Sequence, residues 1–583
     1  MDTANLFEET PVLHFHPDNK VAGRNDIKVQ KSRRRTVITL DIGPFNAVET
    51  ILVGPDNRVY HSRQLCELTP QRCTYGYDVL VYVGRGLFCR NCSEAQLLEE
   101  LAQRNVPISQ REIGFLGRKF IAYLAIAHQQ SHQRLRDHMA LQGGYILHMD
   151  GTCEGDSPHL FTGMDGIAKI VLDNIKLPSE KAELIVPFLR QIRRQYGDPI
   201  ALVHDMGSGI LSAVKTVFEG IPDFICHFHF LRDIGKDLFE QDYSKIRTRL
   251  TKHKIRSVLR HKLKVLEKVV SNNPAGAHQL LTSLDGDRSE PLPVESMPEL
   301  AAYAMICWVL DTSEQLDGYG FPFDCPHLIF YQQLRVLHDF VNEYSFSCCR
   351  TNTGNHRALL SLWRPLTSIV EDRQLTRSVL HMEEKLDCFK KLRKALAIAI
   401  PGDRKALNDD GLYADMNNIE EKVTAFREEI MTDKTLSKKD ECLKMIEQID
   451  KYWDKLFADP IVVNTPSGEV TVQPQRTNNI LERFFRDLKR GNRKKTGAIS
   501  LNRTIKSILS DTPLVKNLGN PEYMRILLDG CSTLEERFEK IDSRLVLDRL
   551  KAERDKPGKL SPEMKKIVRF PDLPRKMMEL MAS

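Results

Sequence analysis

No stretch of the chain approaches the ~20 consecutive apolar residues that a membrane helix requires. The opening residues, MDTANLFEETPVLHFHPDNK, have neither the basic flank nor the apolar core of a secretion signal. A cytoplasmic (nucleoid-associated) or nuclear protein with no membrane partner is therefore expected. An excess of one charge sign is also missing. Against 84 Lys and Arg stand 78 Asp and Glu, so the net +6 does not by itself indicate a polyanionic partner, and the distribution of charge must decide. Tryptophan is scarce, and Trp308, Trp363 and Trp453 all fall in one helical stretch, where core positions are expected for at least two of them. Cysteine follows no disulfide pattern. Thirteen is an odd number, and the residues are scattered as reduced thiols would be. Only Cys66, Cys73, Cys89 and Cys92 suggest ligand spacing. They form either a structural Zn²⁺ site or a Cys-x-x-Cys with an unrelated upstream pair.

At 583 residues the chain is long enough for several domains. Residues 1–35 read as a basic polar tail ending in Lys31–Arg35. Residues 36–92 carry β-branched runs around a GPDN turn and form a small β-rich module. Residues 93–142 are helical, with Ser93/Gln96 and Ser109/Glu112 in capping-box spacing. This pair of helices is either a helix-turn-helix DNA-binding module or an ordinary helical hairpin.

From 143 to 243 the period changes. YILHMDGT, HLFTGMD and AKIVLDNI are three short apolar runs. A helix with Ser179 as its expected cap follows, then PIALVHDMG, another helix, and the run DFICHFHF, Asp223–Phe230. This order predicts a mixed sheet with flanking helices and is the order of an RNase H-like core. Residues 244–474 have a helical pattern and read as a large all-α insertion. Residues 475–510 hold a strongly basic helix that completes the α/β core, and 511–583 a C-terminal helical region.

Asp150 ends the first run of this sheet and Asp205 the fourth, 55 positions later (205 − 150). First and fourth strands are neighbours in such a topology, so the two carboxylates are expected at one sheet edge, where oxygen ligands suit a hard divalent cation. The third acid is Glu482 in NNILERFFRDLKR. At ~100° per residue, Ile480, Leu481, Phe484, Phe485 and Leu488 make one apolar face, with Glu482 off its centre. Around it stand seven cations, Arg483, Arg486, Lys489, Arg490, Arg493, Lys494 and Lys495, against the single acid Asp487. Each acid taken singly also fits a turn, cap or surface ion pair.

The set Asp150-Gly-Thr, Asp205 in HDMG, Cys226-His-Phe-His229 and Glu482 in a basic helix resembles the DDE transposases of the Mutator-like group and their bacterial insertion-sequence relatives, over roughly residues 143–497. The resemblance implies that Asp150, Asp205 and Glu482 hold two divalent cations, Mg²⁺ with Mn²⁺ as substitute. It implies cleavage of double-stranded DNA at the terminal repeats of a mobile element, followed by transfer of the 3′-OH strand into target DNA, by a homodimer or larger assembly. His229 would then support the site while Cys226 packs. The alternatives are a regulatory DNA-binding descendant and a nuclease without strand transfer. A second basic segment, Lys245–Lys268, has ten Lys and Arg, including Lys252, Lys254, Arg256 and Arg260, against Glu267 alone. One uninterrupted helix of that charge would bind phosphate non-specifically.

Overall fold

The computed structural model describes residues 10–18, 26–284, 297–348, 356–399, 415–554, 564, 566–567 and 569–581. The fold is mixed α/β, mostly helical, with mixed sheets. It divides into two compact units: Met1–Asp223 with Ile461–Val472 and Asn478–Ser583, and Phe224–Pro460 with Gln473–Thr477. Among the described residues no helix is long and apolar enough to cross a membrane.

The first unit opens with a four-stranded sheet. Strand β2 (Lys28–Thr39) pairs antiparallel with β3 (Gly43–Val53), while β1 (Val12–Phe15) runs parallel to β3 and β4 (Val59–Tyr60) closes its far end. Lys31–Arg35 are therefore strand rather than tail, although all but Arg35 are exposed. They lie within β2, where Arg33 faces Glu49 across the ladder and Arg35 donates to the Cys73 carbonyl at 2.6 Å. Residues 1–9 and 19–25 of the expected tail lie outside the described residues.

The helix pair read as either a helix-turn-helix or an ordinary hairpin contributes much of its second helix to the core. Ser93 and Gln96 make both bonds of a capping box, and Ser109 accepts from the Glu112 N–H, so the helices Glu94–Ala102 and Gln110–Gln130 begin where their caps predict. Ile121 to His128 are buried without interruption, so the second half of this helix is core, whereas Gln110, Arg111 and Arg118 of its first half are exposed. Gly84 of the helix Tyr77–Phe88 lets it approach closely: a Cβ there would stand 2.1 Å from the Phe120 ring. One hydrophobic cluster runs from Ile38 through Phe120, Leu147 and Leu481 to Phe538 and Val546. Positions 92/93, 142/143 and 510/511 are accordingly not breaks between compact units.

The second sheet of this unit places the acids. Strands β5 (Ile146–Thr152), β6 (His159–Asp165), β7 (Ile170–Leu177), β8 (Ala201–His204) and the short β9 (Asp223–Ile225) stand in the order β7-β6-β5-β8-β9. The pairs β5/β6 and β6/β7 are antiparallel and β5/β8 is parallel. Ile146–Asp150 are all buried, which explains why that run is apolar up to its acid except for His148. The following helix starts at Ala182, three residues beyond Ser179. A hairpin of β10 (Ile461–Thr465) and β11 (Gly468–Val472) precedes the helix Asn479–Thr496, whose Leu481, Phe484 and Phe485 are buried as the predicted apolar face requires.

The second unit is helical. The strand expected over Asp223–Phe230 stops at Ile225, and a helix begins at His227 and runs to Lys252. Lys245–Lys268 is not one helix, because Lys254 takes a left-handed conformation (φ 52°) and a second helix starts at Ile255. Two tryptophans also depart from expectation. Trp308 and Trp363 are 41% and 43% exposed, and Trp453 is half-buried. On the helix Arg357–Val370 the buried stripe is Leu359, Leu362, Leu366 and Ile369, and Trp363 falls one residue off it.

Candidate functional site

The β5/β8 ladder pairs Ile146 with Ala201, Leu147 with Leu202 and His148 with Val203, a constant offset of 55. Carried two residues further, that offset sets Asp150 level with Asp205. Asp150 is 7% exposed and takes the Gly151 N–H at 2.8 Å. Asp205 follows the last residue of β8, is half-buried, and accepts the Gly207 N–H at 3.1 Å, a turn that leads into the helix Ser208–Val217. Burial first, and then the charges of Asp205 and Glu482, push the Asp150 carboxyl well above the usual carboxylate range, against the pull of the Gly151 bond. The three acids picked from the sequence thus share one electrostatic site.

Glu482 is held there by a residue that sequence reading missed. Asn478, fully buried at the N-cap of its helix, donates to the Met149 carbonyl at 2.7 Å, and its Oδ1 lies 3.0 Å from His148 Nδ1. The first turn of the Glu482 helix is therefore fixed to the strand residues immediately before Asp150. Burial depresses His148 to about 4, so at neutral pH the ring is uncharged and serves as a neutral hydrogen-bond partner.

Glu180 is the second omission. Its charge also raises Asp150, and its Oε1 lies 2.9 Å from His159 Nδ1. Gly209 admits the Glu180 backbone, since a Cβ there would stand 1.9 Å from the Glu180 carbonyl oxygen. Neither Asn478 nor Glu180 lay in a recognisable motif. An Asn or Asp one residue before a predicted helix is the only sequence signal that pointed to the former.

The other candidate residues sort differently. In the second unit Cys226 caps the helix His227–Lys252 and His229 lies in its first turn, both buried, with their ligand atoms within 4.8 Å of one another. Because the strand ends before them, they share one side rather than pointing to opposite faces. Burial depresses His229 to about 3.

Cys66, Cys73, Cys89 and Cys92 do not converge, and among the described residues they form no metal-ligating group. They are carried on separate pieces of backbone. Cys66 is in the helix Arg63–Leu68, Cys73 accepts from Lys119 Nζ at 3.0 Å, and Cys89 caps the helix Tyr77–Phe88.

Of the seven cations after Glu482, Arg483, Arg486, Lys489, Arg490, Arg493 and Lys494 are exposed. Lys495 is turned inward, half-buried, with its ammonium 4.9 Å from the Phe88 ring centroid. In the second unit Lys252, Lys254 and Arg260 are exposed, whereas Arg256 stacks over Phe330 at 3.9 Å and is not a free phosphate contact. No family model matches the chain, and neither does any curated protein.

Proposed function

We propose that the protein is a DNA transposase of the DDE type, built on an RNase H-like core with a helical insertion, that cleaves phosphodiesters at the ends of a mobile element and joins the freed 3′-OH to target DNA. The observation that carries this reading is the β5/β8 register that sets Asp150 level with Asp205, together with the Asn478 bonds that fasten the helix of Glu482 to His148 and Met149. The strand order β7-β6-β5-β8-β9, third-second-first-fourth-fifth, supports it.

The donor type suits a hard cation. Asp150, Asp205 and Glu482 offer only carboxylate oxygens, and a buried acid raised by two like charges is relieved by a divalent ion. Bound Mg²⁺ or Mn²⁺ would supply activation of the attacking oxygen and stabilisation of the leaving oxygen. The chain's own contributions are positional. Asn478 and His148 set the angle of the helix that carries Glu482, and Gly151 and Gly207 hold the two aspartates through backbone N–H groups. The exposed cations from Arg483 to Lys494 would bind DNA phosphates on the same helix.

The test is cleavage of a labelled duplex carrying the repeats that flank the gene, with Mg²⁺, Mn²⁺ or EDTA, by the wild type and by Glu482→Gln. Metal-dependent cutting that is lost in the variant is expected. Equal cutting by both proteins would remove Glu482 from the site, and tight binding without cutting by either would point to the regulatory descendant.

A further inference from the structure

The first unit contains a cavity of about 600 Å³ that the acidic site does not use. Its walls come from the helices Tyr77–Phe88 and Gln110–Gln130, from the helix Asn479–Thr496 beyond Glu482, and from residues 504–519. Most of the lining is apolar, including Phe88, Ile121, Phe484 and Leu509. Volume and lining are those of a small-molecule site, for which ~300–1,000 Å³ is usual.

Two lysines give the cavity its chemistry. Lys495 lies 4.9 Å from the Phe88 centroid, and Lys516, at the exposed rim, lies 5.4 Å from that of Phe484. Among the described residues neither ammonium forms an ion pair, and burial lowers Lys495 below the usual lysine value. With Arg118 the lining holds three cations against the two carboxylates Glu94 and Asp487. A part-buried ammonium supported by a ring rather than by a counter-ion gains from an anion delivered into the same cavity.

We propose that this cavity binds a small amphipathic organic anion, an aromatic or aliphatic body seated against Phe88 and Phe484 with a phosphate, sulfonate or carboxylate group on Lys495 and Lys516. The site is independent of the acidic cluster and stands whether or not the chain cuts DNA. It lies against the far half of the Glu482 helix, where Asp487, Leu488, Gly491 and Asn492 belong to its lining. An occupant would therefore load that helix on the side away from its first turn.

The probe is 8-anilinonaphthalene-1-sulfonate, titrated into the full chain by fluorescence, with phenyl phosphate, phenol and inorganic phosphate as competitors. One saturable site is expected, displaced by phenyl phosphate at concentrations where phenol and inorganic phosphate each fail. Lys495→Met should weaken the dye about tenfold, the loss expected for a charge-assisted contact. Lys516→Met, at the exposed rim, should weaken the dye by a smaller factor, with a thermal melt checking that the variant is folded. Equal binding by the wild type and Lys516→Met, the absence of a saturable site, or displacement by phenol as effective as by phenyl phosphate would each overturn the proposal.

Discussion

Asn478 and His148 stand 330 positions apart in the chain and 3.0 Å apart in the structure, side chain to side chain, both fully buried. Asn478 also holds the Met149 carbonyl, so one carboxamide joins the helix of Glu482 to the strand of Asp150. Removing it leaves two buried polar groups without their partner. Asn478→Ala should cost about 2–3 kcal/mol in chemical denaturation and reduce metal-dependent cleavage even where the protein remains folded. Cleavage at wild-type level in a folded variant would show that the strand and helix need no such link.

Asp150 should trade stability for function. Its carboxyl is raised in the folded state by burial and by Asp205 and Glu482, so folding takes up protons there. Stability from this group is fully present below the unfolded carboxylate value, near pH 4, and falls as pH rises towards the folded value. In EDTA, Asp150→Asn should raise the melting temperature at neutral pH. In Mn²⁺ the wild type should gain stability and the variant should not, because the metal replaces the proton only where the carboxylate is available. Thermal melts of both proteins in the two buffers decide it.

A second acid produces a similar slope without any catalytic assignment. Asp165, fully buried at the end of β6, is raised to about 7 by desolvation, although the backbone N–H groups of Ile167 and Ala168 donate to it. Its contribution declines between the unfolded value near pH 4 and about pH 7 and is lost above that. Asp165→Asn should flatten the fall in melting temperature between about pH 4 and pH 7. An unchanged slope would mean that other groups dominate it.

The basic helices should separate into phosphate contacts and structural cations. Reversing Lys252 and Arg260 to Glu should weaken binding to any duplex and lower the slope of log affinity against log salt by about two. Arg256→Ala should leave that slope unchanged and lower stability by about 1 kcal/mol, since its guanidinium stacks on Phe330. A filter-binding series in salt, with a melt of each variant, distinguishes the two roles.

Much of the candidate acidic cluster was legible in the sequence because strand and helix periods are local. An apolar run that ends on Asp150, a second that ends at Asp205 and an amphipathic helix carrying Glu482 each announce themselves within about ten residues. Caps were legible for the same reason, as Ser93 and Ser109 show. Local reading failed where burial decided the outcome. Gln110–Gln130 read as a recognition helix or as half of a hairpin, and its second half is core, while four cysteines with ligand-like spacing form no metal-ligating group among the described residues. Lys495 reads as one more member of a basic run, yet the turn of its helix brings it to Phe88.

The sequence by itself determined the periods, the caps and the identity of three acids, because those follow from the spacing of apolar and polar side chains along one segment. Only the tertiary structure decided that strands 55 residues apart pair in parallel, that Asn478 fastens the third acid's helix to the first acid's strand, and which cations face solvent. Those outcomes rest on buried hydrogen bonds and packing between distant segments, whose energies depend on what surrounds each group rather than on its neighbours in the chain.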